Sequence, residues 1–220
     1  MFIRYVADEA YKQFIRKLVD TNYPIVGVRV PILRQMAKEL TKSGAWRAFL
    51  QEEPVYHEDV QLRAFVLGLV PVTVEERMQL LEQLFPYMDN WGVTDGLCSS
   101  LKETKKYMAA YWNWLQTLRD DPAPFTRRFI YVMYLTYYVT TDYREEVLAQ
   151  LEQETTEHYY IQMAVAWAVS IAYIKAPNKV LPFLQNTTMP TWNYNKAIQK
   201  ICESRQIDPQ TKVILRAMKR

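Results

Sequence analysis

Glycine, histidine and cysteine are scarce in this chain of 220 residues, which holds 5, 2 and 2 of them. So few glycines leave little room for tight hairpins. Cys98 and Cys202 fit no metal-ligand spacing, and His57 and His158 stand apart, so neither a zinc site nor a disulfide framework is expected and the compartment reads as reducing. No metal and no cofactor are expected. No apolar run approaches the ~18 uninterrupted residues of a spanning helix. The leading segment "MFIRYVADEAYKQF" scatters charges where a secretory core would be apolar. These absences point to a soluble cytoplasmic protein. The charge excess is also small, at +3. It permits nucleic-acid binding without demanding it, so the placement of the charges has to decide.

Apolar residues make up 50% of the chain, enough to exclude disorder as its main state and to bury a sizeable core. Tyrosine is plentiful at 16, supplying amphipathic rings for surfaces that meet a partner. Between short breaks the apolar positions recur at helical spacing, as in "AYKQFIRKLVD", "PILRQMAKEL", "EERMQLLEQLF", "MAAYWNWLQTL" and "REEVLAQLEQE". The segment "FIYVMYLTYYVT" (Phe129 to Thr140) is rich in residues that favour strands, but its length and place in the chain predict a buried helix. "DDPAP" and "KAPN" read as turns between helices, and nothing resembles an interdomain linker, so one domain over 1–220 is expected.

The segments "LRAFVLGL", "TDGLCSSL", "RRFIYVMY", "QMAVAWAV" and "NKAIQKIC" align with Ala64, Gly96, Phe129, Ala164 and Ala197 in one column, 32 to 35 residues apart. Each unit has room for two helices and their turns. The ankyrin and tetratricopeptide signatures are missing, which leaves an all-α, HEAT-like or armadillo-type helix-pair solenoid. Stacking equivalent helices brings equivalent positions to one face. The column before the alignment residue reads Arg63, Asp95, Arg128, Met163 and Lys196. One turn earlier lie Asp59, Trp91, Pro124, Tyr159 and Trp192, and one turn later Leu67, Ser99, Val132, Trp167 and Lys200. Basic and aromatic residues interleaved on a solenoid face suit a phosphate backbone with nearby sugars and bases.

Three readings of this stripe stand side by side. Large rings at helical spacing can be core alone, and the cations a solvated face. The stripe can instead grip a nucleic acid or a protein without catalysis. Asp95, an acid interrupting a basic row, is either an ion-pair partner of Arg63 or Arg128, or a carboxylate placed where a cation will appear.

The chain resembles the AlkD-like DNA alkylation-repair family of HEAT-like repeat glycosylases. The likeness rests on "GVRVPILRQMAKEL", "NWGVTDG", "RRFIYVMY", "YYIQMAVAWAV" and "NKAIQKICES", in this order and spacing. The resemblance implies that Asp95 is the catalytic acid, that Trp91 and Trp167 are indoles flanking the lesion nucleotide, and that Arg128 contacts phosphate. Together with the basic and aromatic residues of the stripe, the expected DNA-contacting set is Arg63, Arg128, Tyr159, Tyr160, Lys196 and Lys200. The resemblance further implies excision of cationic alkylpurines such as 3-methyladenine and 7-methylguanine from duplex DNA, without a deep base pocket. Lys196 and Lys200 fall two or more repeats away from Asp95, so no added lyase step and an abasic site as product are expected, from a monomer.

Overall fold

Short polar residues start several of the helices, and a left-handed glycine ends one of them. A computed structural model describes residues 7–220, and among these only helices, turns and irregular segments occur. The first six residues, with the start of the leading segment, lie outside the described residues. Asp8, Thr73, Asn90 and Asp208 accept backbone N–H bonds at the starts of α1 (Glu9–Arg16), α5 (Val74–Leu84), α6 (Trp91–Ser100) and α13 (Pro209–Ala217). Gly44, at φ +78°, closes α2 (Val30–Ser43). The remaining helices are α3 (Trp46–Gln51), α4 (His57–Leu67), α7 (Met108–Thr117), α8 (Pro124–Met133), α9 (Arg144–Glu152), α10 (Tyr159–Lys175), α11 (Pro177–Asn186) and α12 (Thr191–Glu203).

Two compact units divide the chain, Met1–Thr126 and Arg127–Arg220, with the division falling inside α8. In the first, α4 lies between α2 and α6, while α3 packs on α2 and α5 on α4. In the second, α10 packs on α12 and α11, and α12 on α13. The helices α4, α6, α8, α10 and α12 begin at His57, Trp91, Pro124, Tyr159 and Thr191, which follows the period of the aligned segments.

Every residue of α4 is buried, including four ionisable ones. A helix covered on all sides has no polar face to mark its orientation, and each buried charge needs a partner. Glu58 accepts the backbone N–H groups of Val26, Gly27 and Val28. Gly27 has φ +97°, and a Cβ there would lie 2.5 Å from the Asp8 carbonyl oxygen, so only glycine fits this turn. Asp59 accepts from Val55 and Tyr56. Arg77 of α5 bridges Glu103 (2.5 and 3.1 Å), the Val70 carbonyl (2.7 Å) and the Leu67 carbonyl, and Glu103 also accepts from Tyr111. This network locks the α4–α5 turn to the 3-10 turn at Lys102–Lys105.

The strand-like segment is helical. Its rings are buried within α8 and a π-helical turn over Tyr134–Tyr138, where Tyr131, Tyr134, Tyr138 and Tyr143 meet edge to face at 5.2 to 6.1 Å. Packing of those rings outweighs their preference for strands.

Candidate functional site

The segment Asp89 to Gly96 begins as an anchor and continues as a cleft wall. The Asp89 carboxylate accepts from the Thr21 hydroxyl (2.8 and 2.9 Å) and the Asn22 N–H (2.6 Å). Asn90, fully buried, caps α6 by accepting from Gly92 N–H (3.0 Å) and Val93 N–H (3.3 Å), while its amide nitrogen donates to Asp89 at 2.8 Å. The same nitrogen lies 3.3 Å from Nδ1 of His57. An amide nitrogen can only donate, so His57 accepts there and carries its proton on Nε2. Burial lowers the pKa of His57, against the opposing pull of Glu58 and Asp89. His57 stands at the first position of α4, buried rather than on the surface.

With α6 fixed in this way, Trp91 is fixed too: its indole N–H donates to the Leu18 carbonyl at 3.0 Å. One turn on, Asp95 is half-buried beside it. Both line a cleft of about 350 Å³ whose walls also include Arg34, Gln61, Phe65 and Ser99. Gly96 lets α6 approach α4 closely, since a Cβ on it would stand 3.1 Å from the Phe65 ring. Arg34 of α2 lies 4.1 Å over that ring and donates to the hydroxyls of Ser100 (3.2 Å) and Ser99 (3.3 Å). Partial desolvation there lowers its pKa.

Arg63 does not stand in this cleft. It is 5% exposed, donates to the Leu50 carbonyl at 2.8 Å and lies 5.2 Å from the Phe49 ring, lining a different pocket. The column that pairs it with Asp95 is two residues out of register in α4. Counting from the helix caps, Asp95 corresponds to Gln61, which does line the cleft, and to Arg34 in α2. Two residues turn the side chain by about 200° around a helix, which carries Arg63 to the other side. Arg34 and Gln61 are therefore the cleft residues that sequence reasoning missed. The matching distance from each cap was the signal that could have found them.

The second unit gathers most of the other predicted residues. Tyr159 is 57% exposed and meets the rings of Tyr160 at 5.3 Å and Trp192 at 6.1 Å. Lys196 Nζ lies 5.5 Å from the Trp192 ring and donates to Gln199. Lys200 has its pKa lowered by burial, opposed by Glu203 and reinforced by Lys196 and Arg128, which places both of these cations within electrostatic reach of Lys200. Arg128 is buried and donates to the Tyr160 carbonyl at 2.8 Å. Trp167 is half-buried on α10, two turns beyond Tyr159 and Tyr160. Trp46, Trp112 and Trp114 are core, so the reading of all indoles as core holds for those three and fails for Trp91, Trp167 and Trp192.

Beneath this surface, Glu154 accepts from Arg127, from the Tyr131 hydroxyl at 2.5 Å and from Thr156 N–H at 2.8 Å. Burial alone would raise the pKa of Glu154, but these donors outweigh it and hold the carboxyl below its ordinary range. Burial and the Glu154 carboxylate push the Tyr131 phenol up.

An all-helical protein whose paired helices hold a carboxylate and an indole in one open cleft is the class defined so far. The sequence model of the family described as DNA alkylation repair enzyme matches residues 3–201, and the chain belongs to that family. No curated protein matches it. Membership brings a role in the repair of alkylated DNA, and with it contact with DNA. Among the described residues no helix is long and apolar enough to cross a membrane.

Proposed function

We propose that the chain is a monofunctional DNA glycosylase that hydrolyses the N-glycosidic bond of cationic alkylpurines, 3-methyladenine and 7-methylguanine, in duplex DNA. The observation that carries this reading is the placement of Asp95 and Trp91, one helical turn apart, in the same open cleft. An alkylated purine is already positively charged and leaves with the bonding electron pair as a neutral base. The deoxyribose left behind acquires oxocarbenium character, which a carboxylate stabilises while it takes a proton from the water that adds to C1′. The product is an abasic site, and no cofactor is needed. The Trp91 face adds cation–π attraction of about 0.5–2 kcal/mol toward sugar and base. Trp167 takes the role of second indole from the family resemblance. In the second unit the charge of Arg128, Lys196 and Lys200 and the rings of Tyr159 and Tyr160 suit a phosphodiester backbone. Arg63, which lines a separate pocket and not the Asp95 cleft, leaves the set of expected DNA contacts, and Arg34, in the cleft wall, joins it. The helix pairs are read as one HEAT-like or armadillo-type domain acting as a cytoplasmic monomer.

The test is release of 7-methylguanine from methylated duplex DNA. Losing one group that stabilises the transition state electrostatically costs about 10²–10³ in rate, so Asp95→Asn should fall by that factor while the fold is kept. No release by the unaltered protein, with salt-dependent binding to undamaged duplex, would make the chain a non-catalytic module; equal release by both proteins would remove Asp95 from the chemistry.

A further inference from the structure

The side of α4 turned away from the cleft carries a second pocket, of about 320 Å³, with Arg63 in its wall. Arg63 donates one Nη to the Leu50 carbonyl, but its Nε–H is buried and has no acceptor in the protein. A buried guanidinium with an unmet donor is costly unless something completes it. Leu50, Leu67, Leu80, Leu84 and Pro86 supply the apolar part of the wall, and Gln51 and Gln83 line it beside them. Glu52 and Glu53 are exposed and form the pocket's acidic edge, and Tyr87 donates to Glu53 at 2.9 Å. Burial lowers the basicity of Arg63, while Tyr87, Asp59, Glu53 and Glu52 around it act in the opposite sense. One cation facing two nearby carboxylates gives no excess positive charge, so an anion such as phosphate is repelled at the edge.

We propose that this pocket binds a neutral 6-oxopurine, guanine as the free base or nucleoside. Its occupant needs a flat apolar body for the leucine walls, an acceptor for Arg63, and adjacent donors for the edge carboxylates. A guanine ring offers these three together: O6 and N7 accept from the guanidinium, and N1–H with the exocyclic amine donates to Glu53 or Glu52. In the same pose adenine keeps N7 as an acceptor for Arg63 but sets an amine in place of O6, and it turns an unprotonated N1 toward the carboxylate, which is left unpaired. The site is separate from the Asp95 cleft and does not depend on glycosylase activity.

Titration of the full chain with guanosine, followed by calorimetry and by leucine methyl resonances, tests this. Guanosine should shift the methyls of Leu50, Leu67, Leu80 and Leu84. Adenosine should bind at least tenfold more weakly. Glu53→Ala, at an exposed position where folding is not at stake, should weaken guanosine at least tenfold, and Arg63→Lys, which keeps the charge and removes the planar fork, should do the same. A single-stranded trinucleotide with a central dG should not compete, because its phosphates meet the acidic edge. Absence of shifts at millimolar guanosine, equal binding of adenosine, or unchanged binding by Glu53→Ala would overturn the proposal. Preferential binding of the trinucleotide would overturn the assignment to a free base.

Discussion

Removing the Asn90 side chain should loosen the helix that carries both Trp91 and Asp95. Two losses combine in Asn90→Ala. The α6 cap disappears, with its bonds to Gly92 and Val93 N–H, and such caps contribute about 1 kcal/mol, with a range of about 0.5–2. The buried Nδ1 of His57 also loses its donor, and an unsatisfied buried acceptor costs about 1–3 kcal/mol. Asp89 also loses the bond from the Asn90 amide, but it keeps those from Thr21 and Asn22, so its carboxylate is not left unsatisfied. The sum is about 2–4 kcal/mol. With a urea slope of about 3 kcal/mol/M, the unfolding midpoint should fall by about 1 M. Asn90→Asp separates the two losses. It keeps the cap oxygen at a helix N-terminus that favours negative charge, but sets a second carboxylate beside Asp89 and replaces the donor facing His57 by an acceptor. His57 can meet that acceptor by moving its proton to Nδ1 or by taking up a second one, and the added carboxylate favours the charged ring, so relative to the unaltered protein Asn90→Asp should gain stability as pH falls toward 6. A midpoint for Asn90→Ala within 0.3 M of the unaltered protein, roughly 1 kcal/mol at the same slope, would refute the reasoning, because neither the cap nor the His57 contact would then hold the helix.

The α4 register has its own test. Gln61→Lys adds a cation to the cleft wall and should change affinity for duplex DNA and its salt dependence, whereas Arg63→Lys should lower the thermal midpoint and leave DNA affinity within twofold; the reverse pattern would restore the sequence alignment. Arg77→Ala leaves the Leu67 and Val70 carbonyls and Glu103 without their buried partner and should cost about 3–5 kcal/mol by chemical denaturation. Glu154, held below its ordinary pKa in the fold, contributes stability that is complete above its unfolded pKa, about 4.3, and is lost as pH falls through the lower folded value. Tyr131→Phe removes one of its donors, so the folded pKa should rise toward the unfolded one and the acid-unfolding midpoint should move to higher pH, as followed by circular dichroism.

Much of the fold was legible because local rules and burial agree. Asp8, Thr73 and Asn90 begin helices where a short polar side chain precedes apolar residues at helical spacing, and the interval of 32 to 35 residues marks the successive helices from α4 to α12. The pairing of Trp91 with Asp95 was legible for a similar reason: residues four apart on any α-helix share a face. Alignment alone could not orient α4. Its polar residues bond to backbone groups of distant turns, as Glu58 does to Val26, Gly27 and Val28, so its sequence shows no solvent face to read.

By itself the sequence determined an all-helical chain of this repair family, with an acid and an indole on one face of a capped helix. Only the tertiary structure decided which neighbours share that face. It brought Arg34 and Gln61 to the cleft and turned Arg63 into a separate pocket, because the rotation of a helix buried on every side is set by the partners its charges find and not by its own pattern of polar and apolar residues.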